Sequence, residues 1–370
     1  MITQTPVPIG ALIAPDYALF LQQADITEAF RHRLLSLTLT DNRGFTADRL
    51  DLELDDADGQ IAMPKRGQTL TVKLGWKGQA LIDKGKFIVD EIEHRGAPDK
   101  LVIRARSVDF RNSMNVARDH SYHDRTLGDI VNEVANRNRM GHTLAAGLAE
   151  IKITHIDQSQ ETDVAFLTRL ATMNGAVAAI KNERLLFLVP GSGLSISGKP
   201  LPSLTLERSD GDQHYFNVAD RNAYTGVIAK WQDTQHARQQ QMTVQREEGN
   251  TTDENAASSY LAGESNNVFT LPTLYANKES AMRAAKARWA NIQQGNVQFS
   301  INLAVGRPDL SPETPIHLSG FKEVIDRQPW IISQVVHTLN DRGFSTSLAL
   351  DVLTQRMEFA ITEGDNSFAS

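Results

Sequence analysis

Two stretches of this 370-residue chain repeat each other without a gap. Phe87-Ile88-Val89-Asp90-Glu91-Ile92-Glu93-His94 aligns on Trp330-Ile331-Ile332-Ser333-Gln334-Val335-Val336-His337. Ahead of them, Gly75-Trp76-Lys77 matches Gly320-Phe321-Lys322, and Leu81-Ile82-Asp83 matches Val324-Ile325-Asp326, with spacings that differ by two residues. Behind them, LVIRA (101–105) is set against LALDV (348–352) after a longer hairpin loop. Amphipathic strands also resemble one another by chance, because an alternating pattern draws on few residue types. The reading that constrains the fold is duplication, with residues 1–118 and 201–355 as two copies of one β-barrel. Three such chains would set six similar barrels in a ring, so that three-fold symmetry imitates six-fold symmetry.

The copies are β-rich because their hydrophobic period is two. LSLTLTD (35–41), RLDLELD (49–55), TLTVKLGW (69–76), KFIVDEIEH (86–94) and KLVIRARSVDF (100–110) alternate apolar with polar residues. Turn material such as Asn42-Arg43-Gly44, Asp58-Gly59 and Gly96-Ala97-Pro98-Asp99 separates them. Short strands with one apolar face pack as a small antiparallel barrel or sandwich. The period then becomes helical. Thr126 with Asp129 makes a capping-box start, Leu127, Ile130, Val131, Val134 and Ala135 form one apolar stripe, and Gly141 ends it. A second helix over 162–174 feeds a hairpin of AVAAIK (176–181) and RLLFLV (184–189), turned at Asn182-Glu183. The run GSGLSISGKP closes this middle unit.

Alternation returns at LTLER (204–208) and YTGVIAKWQD (224–233), and later in VQFSINLAV (297–305), PIHLSGF (315–321), WIISQVVHTL (330–339) and STSLALDVL (345–353). A polar loop (246–267) and a helix (278–293) interrupt the second copy. That helix carries Met282, Ala285, Trp289 and Ile292 on one face, with Trp289 as a core anchor. Arg283, Lys286 and Arg288 make the rest basic and place it toward solvent or another subunit. The expected fold class is α+β and β-rich, with two related antiparallel β-barrel domains flanking a smaller α/β domain. The domains are 1–118, 119–200 and 201–355, followed by a disordered tail at 356–370.

The chemistry on offer is sparse. The chain has no cysteine, which excludes disulfides, thiolate nucleophiles and Cys-ligated zinc. Its 38 Lys+Arg against 45 Asp+Glu leave a net charge of -7, the opposite of the basic excess of a general nucleic-acid binder. No apolar run reaches the roughly 18–20 residues of a membrane span. The first twenty residues lack a basic start and are broken by Pro6, Pro8 and Pro15, so no signal peptide is expected. HEXXH, GXSXG and Walker A patterns are absent, and GSGLS (191–195) has glycines at the wrong offsets for a nucleophile elbow.

The best metal candidates are Asp119, His120, His123 and Asp124, within six residues. On a helix His120 and His123 would share a face; the plainer reading is an exposed polar linker. Asp55, Asp56, Asp58 and Gly59 mimic part of a calcium loop with the glycine one place off. His94 and His337 hold the same place in the repeat and are read as strand ends. No catalytic residue, cofactor or bound metal is expected.

RLLSLTLTDNRG, FIVDEIEHRG, TLGDIV, HIDQSQETDVAFLTRLA, GAVAAIKNERLLF, YTGVIAKWQD, GRPDLSPETPIHLSGFKEVID and WIISQVVHTL succeed one another between residues 33 and 353. Together they resemble the phage late control gene D protein family, the baseplate or tail hub of contractile-tailed phages and phage-tail-like bacteriocins. That family is similar to the N-terminal part of VgrG spikes. The resemblance implies a structural protein in a homotrimer, whose two barrels per chain form a pseudo-six-fold ring between a hexameric tail tube and a trimeric central spike. It implies as partners the spike, the tube or a tube-initiator protein, baseplate wedge proteins and the C-terminus of a tape-measure protein, in a virion tail assembled in the host cytoplasm. No spike repeat follows residue 355, so the spike is expected as a separate chain. The competing reading is a cell-wall-degrading tail enzyme of lysozyme or peptidase type. If DNA crosses the ring, a wall without a basic stripe avoids holding it, because phosphate affinity scales with the charges neutralised. A neutral to acidic lumen is therefore expected. Residues 238–268 are the least family-like.

Overall fold

A computed structural model describes residues 14–107, 111–181, 184–190, 203–218, 224, 226–233, 238–246, 267–353 and 359–365. The N-terminal part contains β1 (Pro15–Leu21), β2 (Ala24–Asp25), α1 (Thr27–Phe30), β3 (Leu34–Asn42), β4 (Arg49–Asp55), β5 (Thr69–Trp76), β6 (Ile82–Arg95), β7 (Lys100–Ser107) and α2 (Arg111–Met114). The middle contains β8 (Ala117–Thr126), α3 (Leu127–Arg137), β9 (Gly141–Leu144), β10 (Lys152–Thr162), α4 (Asp163–Met173), β11 (Val177–Lys181) and β12 (Arg184–Leu188). The C-terminal part opens with β13 (Leu204–Glu207), β14 (Gly211–Val218), β15 (Gly226–Asp233), β16 (Arg238–Arg246), β17 (Val268–Tyr275) and α5 (Lys278–Asn296). It continues with β18 (Val297–Leu303), β19 (Pro315–Ser319), α6 (Glu323–Asp326), β20 (Trp330–Asn340), β21 (Gly343–Val352) and β22 (Phe359–Asp365).

One thirteen-stranded sheet runs β14-β18-β21-β20-β3-β4-β7-β6-β5-β1-β2, with β19 beside β20 and β13 beside β19. It divides at the β20–β3 contact into two halves. The first half is ordered β1-β5-β6-β7-β4-β3, the second β13-β19-β20-β21-β18-β14. Numbered by appearance along the chain, six strands in each half read 1-4-5-6-3-2. The halves differ at their outer strand: β1 runs antiparallel to β5, whereas β13 runs parallel to β19.

The halves also share a bulge. Pairing of β6 with β7 slips between Val89 and Glu91, and pairing of β20 with β21 slips between Ile332 and Gln334. These are aligned positions of the sequence repeat. The extra residue, Asp90 or Ser333, bends its strand and re-aims the residues beyond it. The bulge also corrects the alignment downstream. Ala105 lies opposite Val89 and Leu350 lies opposite Ile332, so LVIRA corresponds to TSLAL (346–350) and not to LALDV. A pattern of period two reads the same after a shift of two residues, so side chains alone leave that register open.

Each half has its own apolar core. Leu37, Leu39, Leu50, Leu52, Val72, Phe87 and Ile103 fill the first; Phe299, Ile301, Ile316, Trp330, Val335 and Leu348 fill the second. Among the described residues, the end strands of neither half pair with each other, so no continuous ladder closes the expected barrels. Instead β3 places its outer edge on β20, and Leu339 and Phe344 of the second half reach into the first core.

The middle unit forms much as its sequence dictates. Thr126 caps α3 in a reciprocal box with Asp129, and the Thr162 side chain accepts from the Ala165 N–H to cap α4. The cap at the far end of α3 is Asn138, while Gly141 starts β9. A core of Tyr122, Ile130, Phe166, Leu170 and Phe187 joins these helices to the β8–β10 pair and the β11-β12-β9 sheet. The Asn182-Glu183 turn, the GSGLSISGKP run and nearly all of the polar loop lie outside the described residues.

The interruption of the second copy is larger than a loop and a helix. β15, β16, β17 and β22 form a four-stranded sheet in the order β17-β15-β16-β22. Helix α5 covers it through Ala281, Ala285, Trp289 and Ile292 packed on Val227, Trp231, Met242 and Tyr275. The expected disordered tail at 356–370 is corrected by β22, whose Phe359–Asp365 pairs along β16. That strand owes its place to an available ladder more than to an apolar stripe of its own. The basic side of α5 is also not an open solvent face. Arg283 and Arg288 are half-buried, and the Arg288 guanidinium lies 4.6 Å from the centre of the Phe269 ring.

Candidate functional site

The metal candidates do not come together. Residues 119–124 are not a linker but part of β8, paired with β10 from Lys152↔Thr126 to Thr162↔Ala117. On a strand, residues three apart face opposite sides, so His120 and His123 diverge. Asp119 accepts from the Gln160 N–H at 2.8 Å, His120 meets Glu133 at 3.2 Å, and Asp124 takes a φ of 47°. His123 instead meets His155 across the ladder, with Nδ1 atoms 3.1 Å apart, and Asp157 holds the far nitrogen of His155 at 3.0 Å. Among the described residues no group of three His, Asp or Glu side chains converges on a metal position. A shallow depression beside α4 is lined by Asp157, Glu161 and Arg169. Its acids are engaged, Glu161 with Arg169 and Asp157 with His155.

The feature built with most care is the seam between the halves. From Gln334↔Asn42 to Asn340↔Ser36, β20 and β3 pair antiparallel without a slip. The Gln334 amide donates to Asn42 Oδ1 at 2.8 Å across that ladder. Arg43 leaves the end of β3, pairs with Asp351 at 2.8 Å and with Glu313, and donates to the Ile332 carbonyl. Trp76 Nε1 donates to the Gly306 carbonyl at 3.0 Å, with its ring 5.3 Å from that of Phe344. Lys84 donates to the Pro308 and Leu310 carbonyls, and burial pushes its ammonium below the usual lysine range. Burial likewise raises the Asp351 carboxyl, against the pull of Arg43.

The polar face of the joined sheet changes character across this seam. In the first half it carries Asp51, Glu53, Asp90, Glu91 and Glu93 against Arg49, Arg95, Lys100, Arg104 and Arg106. They pair among themselves: Arg104 with Glu91 and Glu93, Lys100 with Glu53, Arg106 with Asp90, Arg49 with Asp51 and Arg95 with Glu93. In the second half the same face shows Gln298, Ser300, Asn302, Ser345, Ser347 and Ala349, with Asp351 held by Arg43. On β4, β7 and the end of β6 the charges are therefore balanced, and on β18 and β21 the face is nearly uncharged. Those strands offer a polyanion no unpaired row of cations.

The family model of the Phage tail baseplate hub (GPD) matches residues 45–343. The chain belongs to the phage tail baseplate hub family. A probable baseplate hub protein of Escherichia phage P2 is 51% identical over 378 residues, covering 96% of this chain and 97% of the relative. Among solved structures, the tail protein from Neisseria meningitidis MC58 shares the fold with a TM-score of 0.65 at 15% identity, over 91% of this chain and 96% of that one. The Francisella PdpA–VgrG complex in its half-lidded form is similar with a TM-score of 0.51 at 10% identity, over 94% of this chain and 59% of that one. Hub membership makes this chain a tail and baseplate component.

Two hub features give no signal in the sequence reading. One is a buried polar knot inside HIDQSQETDVAFL. Asp163 is fully buried and is held by Arg137 at 2.9 Å, Asn138 at 2.8 Å and Gln158 at 2.9 Å. The other is Lys181, which leaves the middle unit and pairs with Asp41 and Asp48 of the first half. Burial pushes the Lys181 ammonium down, but the two carboxylates lift it above the usual lysine range. An isolated Asp at a helix start or Lys in a strand gives no sign of its partner, which for Lys181 lies more than a hundred residues away.

Proposed function

We propose that this chain is the structural hub of a contractile tail, acting as a homotrimer whose six sheet halves form a pseudo-six-fold ring. The ring would adapt a hexameric tail tube to a trimeric central spike. Baseplate wedge proteins and a tape-measure terminus would be further neighbours, and assembly would take place in the host cytoplasm. Each half is taken as a barrel-like domain, with residues 119–200 as the α/β domain between them. One observation carries this reading. The two halves repeat strand order and bulge position and are already joined side by side within the chain. A joint of that kind, repeated by rotation, closes a ring.

The reading is of a scaffold rather than a catalyst. In the seam Arg43 is paired with Asp351 and Glu313 and Lys84 donates to backbone carbonyls, and the acids of the depression beside α4 are tied to neighbours. The balanced polar face is assigned to the lumen, where DNA could pass without sticking. Light scattering on the purified protein, alone and with a trimeric spike, tests the scaffold. A trimer mass or spike-driven trimerisation is expected; a species that stays monomeric and binds neither spike nor tube would overturn it. Incubation with peptidoglycan should release nothing, and turnover abolished by changing a single carboxylate would replace the scaffold with a tail enzyme.

A further inference from the structure

The seam inside the chain has an unused twin. β20 has three neighbours. β21 runs beside its whole length, β19 pairs before the bulge at Trp330 and Ile331, and β3 pairs beyond it from Gln334 to Asn340. β6 has β7 along Phe87–Arg95 and β5 before the bulge. The backbone closes in the same way at the aligned residues. Val89 bonds to Gly67 N and Gln68 O, and Ile332 bonds to Glu313 N and Thr314 O. Beyond the bulge, β6 continues from Glu91 to Arg95 with no strand on its second side among the described residues. In the second half, that side is where β3 lies.

The strand equivalent to β3 is β14. It bonds to β18 on one side and has no strand on the other among the described residues. In the sheet order β14 and β6 are separated by six strands, so these two edges face different directions on one chain. An uncovered edge invites another chain. We infer that β14 of one chain pairs antiparallel with the Glu91–Arg95 edge of β6 in the next, repeating between chains the β3–β20 junction within one. This deepens the ring reading above and rests on it.

The register comes from the repeat. The intrachain ladder is carried over through the shared bulge and the matching β4 and β18 pairings. It sets Val218 opposite Ile92, Asn217 opposite Glu93, Phe216 opposite His94 and Tyr215 opposite Arg95. The side chains suit these places. Val218 and Ile92 are half-buried apolar residues at open ends of the two cores. Tyr215 is 61% exposed, unusual for a large ring, and would cover the Arg95 guanidinium in a cation–π contact. Asn217 would donate to Glu93, as Gln334 donates to Asn42 inside the chain. The contact is head-to-tail, so it closes only as a ring or runs on as a filament.

A chain with no cysteine makes the test clean. Asn217→Cys and Glu93→Cys are introduced together, and the protein is oxidised with and without a spike. A short bismaleimide is applied in parallel, since paired Cα atoms alternate between about 4.5 and 5.5 Å. Covalent dimers and closed trimers are expected on denaturing gels. They should form about tenfold more readily than with Asn217→Cys and Arg95→Cys, a pair shifted by two residues, because disulfide geometry is narrow. Thr40→Cys with Val336→Cys, the same pair inside one chain, reports that linkage works and that the fold tolerates it. A trimer by light scattering that links equally well at the shifted pair, or not at Asn217/Glu93, would overturn this junction and leave the ring standing. No trimer under any condition would overturn both.

Discussion

β20 and β6 beyond their bulges are the same piece of fold in different company. In β20, His337 is fully buried, lies across the ladder from Leu39, and has its Nδ1 3.0 Å from the Thr346 hydroxyl. In β6 the aligned His94 keeps 34% of its side chain exposed and faces Asp56 at 3.5 Å. Val335 is fully buried where Ile92 is half-buried. The strands carry nearly the same alternation, so their own sequence does not account for the contrast. What differs is the neighbour: β3 covers one edge, and no described strand of the chain covers the other. A strand's pattern sets which face is apolar, but the strand laid beside it decides how much of that face is dry.

The comparison can be broken most sharply at Val335 and Ile92. Val335→Ala opens a cavity in a closed core and should cost about 2–3 kcal/mol in urea unfolding. Ile92→Ala, at the open edge, should cost about 1 kcal/mol in the isolated chain. Equal losses would mean that the two edges are not differently covered.

Next in size are the cations beside the two edges. Arg43→Ala removes the cation that Glu313 and Asp351 share, at side-chain exposures of 14% and 24%. The expected loss is about 2–3 kcal/mol, below the value for full burial. Arg104→Ala, on the solvated face beside β6, should cost less than about 1 kcal/mol. Both are read from denaturant midpoints at fixed salt.

Acidification sharpens the contrast further. Burial, with the Lys84 ammonium adding to it, holds the His337 imidazole well below the ordinary histidine value. The unfolded chain therefore takes up this proton first, near pH 6.5. The contribution of His337 is level above about pH 6.5, and stability falls as the pH drops below it toward the folded value. Urea midpoints measured from about pH 8 to 5.5 should show that fall, and His337→Asn should flatten it. An unchanged slope in the variant would place the proton elsewhere.

A loss similar to that of Ile92→Ala is expected at Trp76. Its repeat partner is Phe321, so Trp76→Phe gives the first half the residue of the second. The loss should be about 1 kcal/mol, the net worth of the indole hydrogen bond to Gly306.

Much of the fold is legible in the sequence because its signals are local. The alternation in 35–55 and 69–107 marks β3 to β7, and the Thr126 box marks the start of α3. The aligned pair Phe87–His94 and Trp330–His337 marks the duplication, and the structure puts a bulge at the same place in both. Other parts are not legible, for reasons that can be named. LVIRA aligns two residues out because a period of two repeats after two. His120 and His123 look like a chelating pair only on a helix, and their segment is a strand; the true partner of His123, His155, comes from β10. β22 reads as tail because its ladder comes from β16 and not from its own pattern.

By itself the sequence marked β3 to β7 in one half, β13 and β18 to β21 in the other, and the capped helices between them. Those come from side-chain periodicity and caps, which act over a few residues. Only the tertiary structure decided that β3 joins β20, that Lys181 bridges to Asp41 and Asp48, and that β6 and β14 present open edges among the described residues. Edge pairing is made by backbone N–H and C=O groups, which are the same at nearly every residue. Which edges meet is therefore set by where whole elements pack, and no local pattern records it.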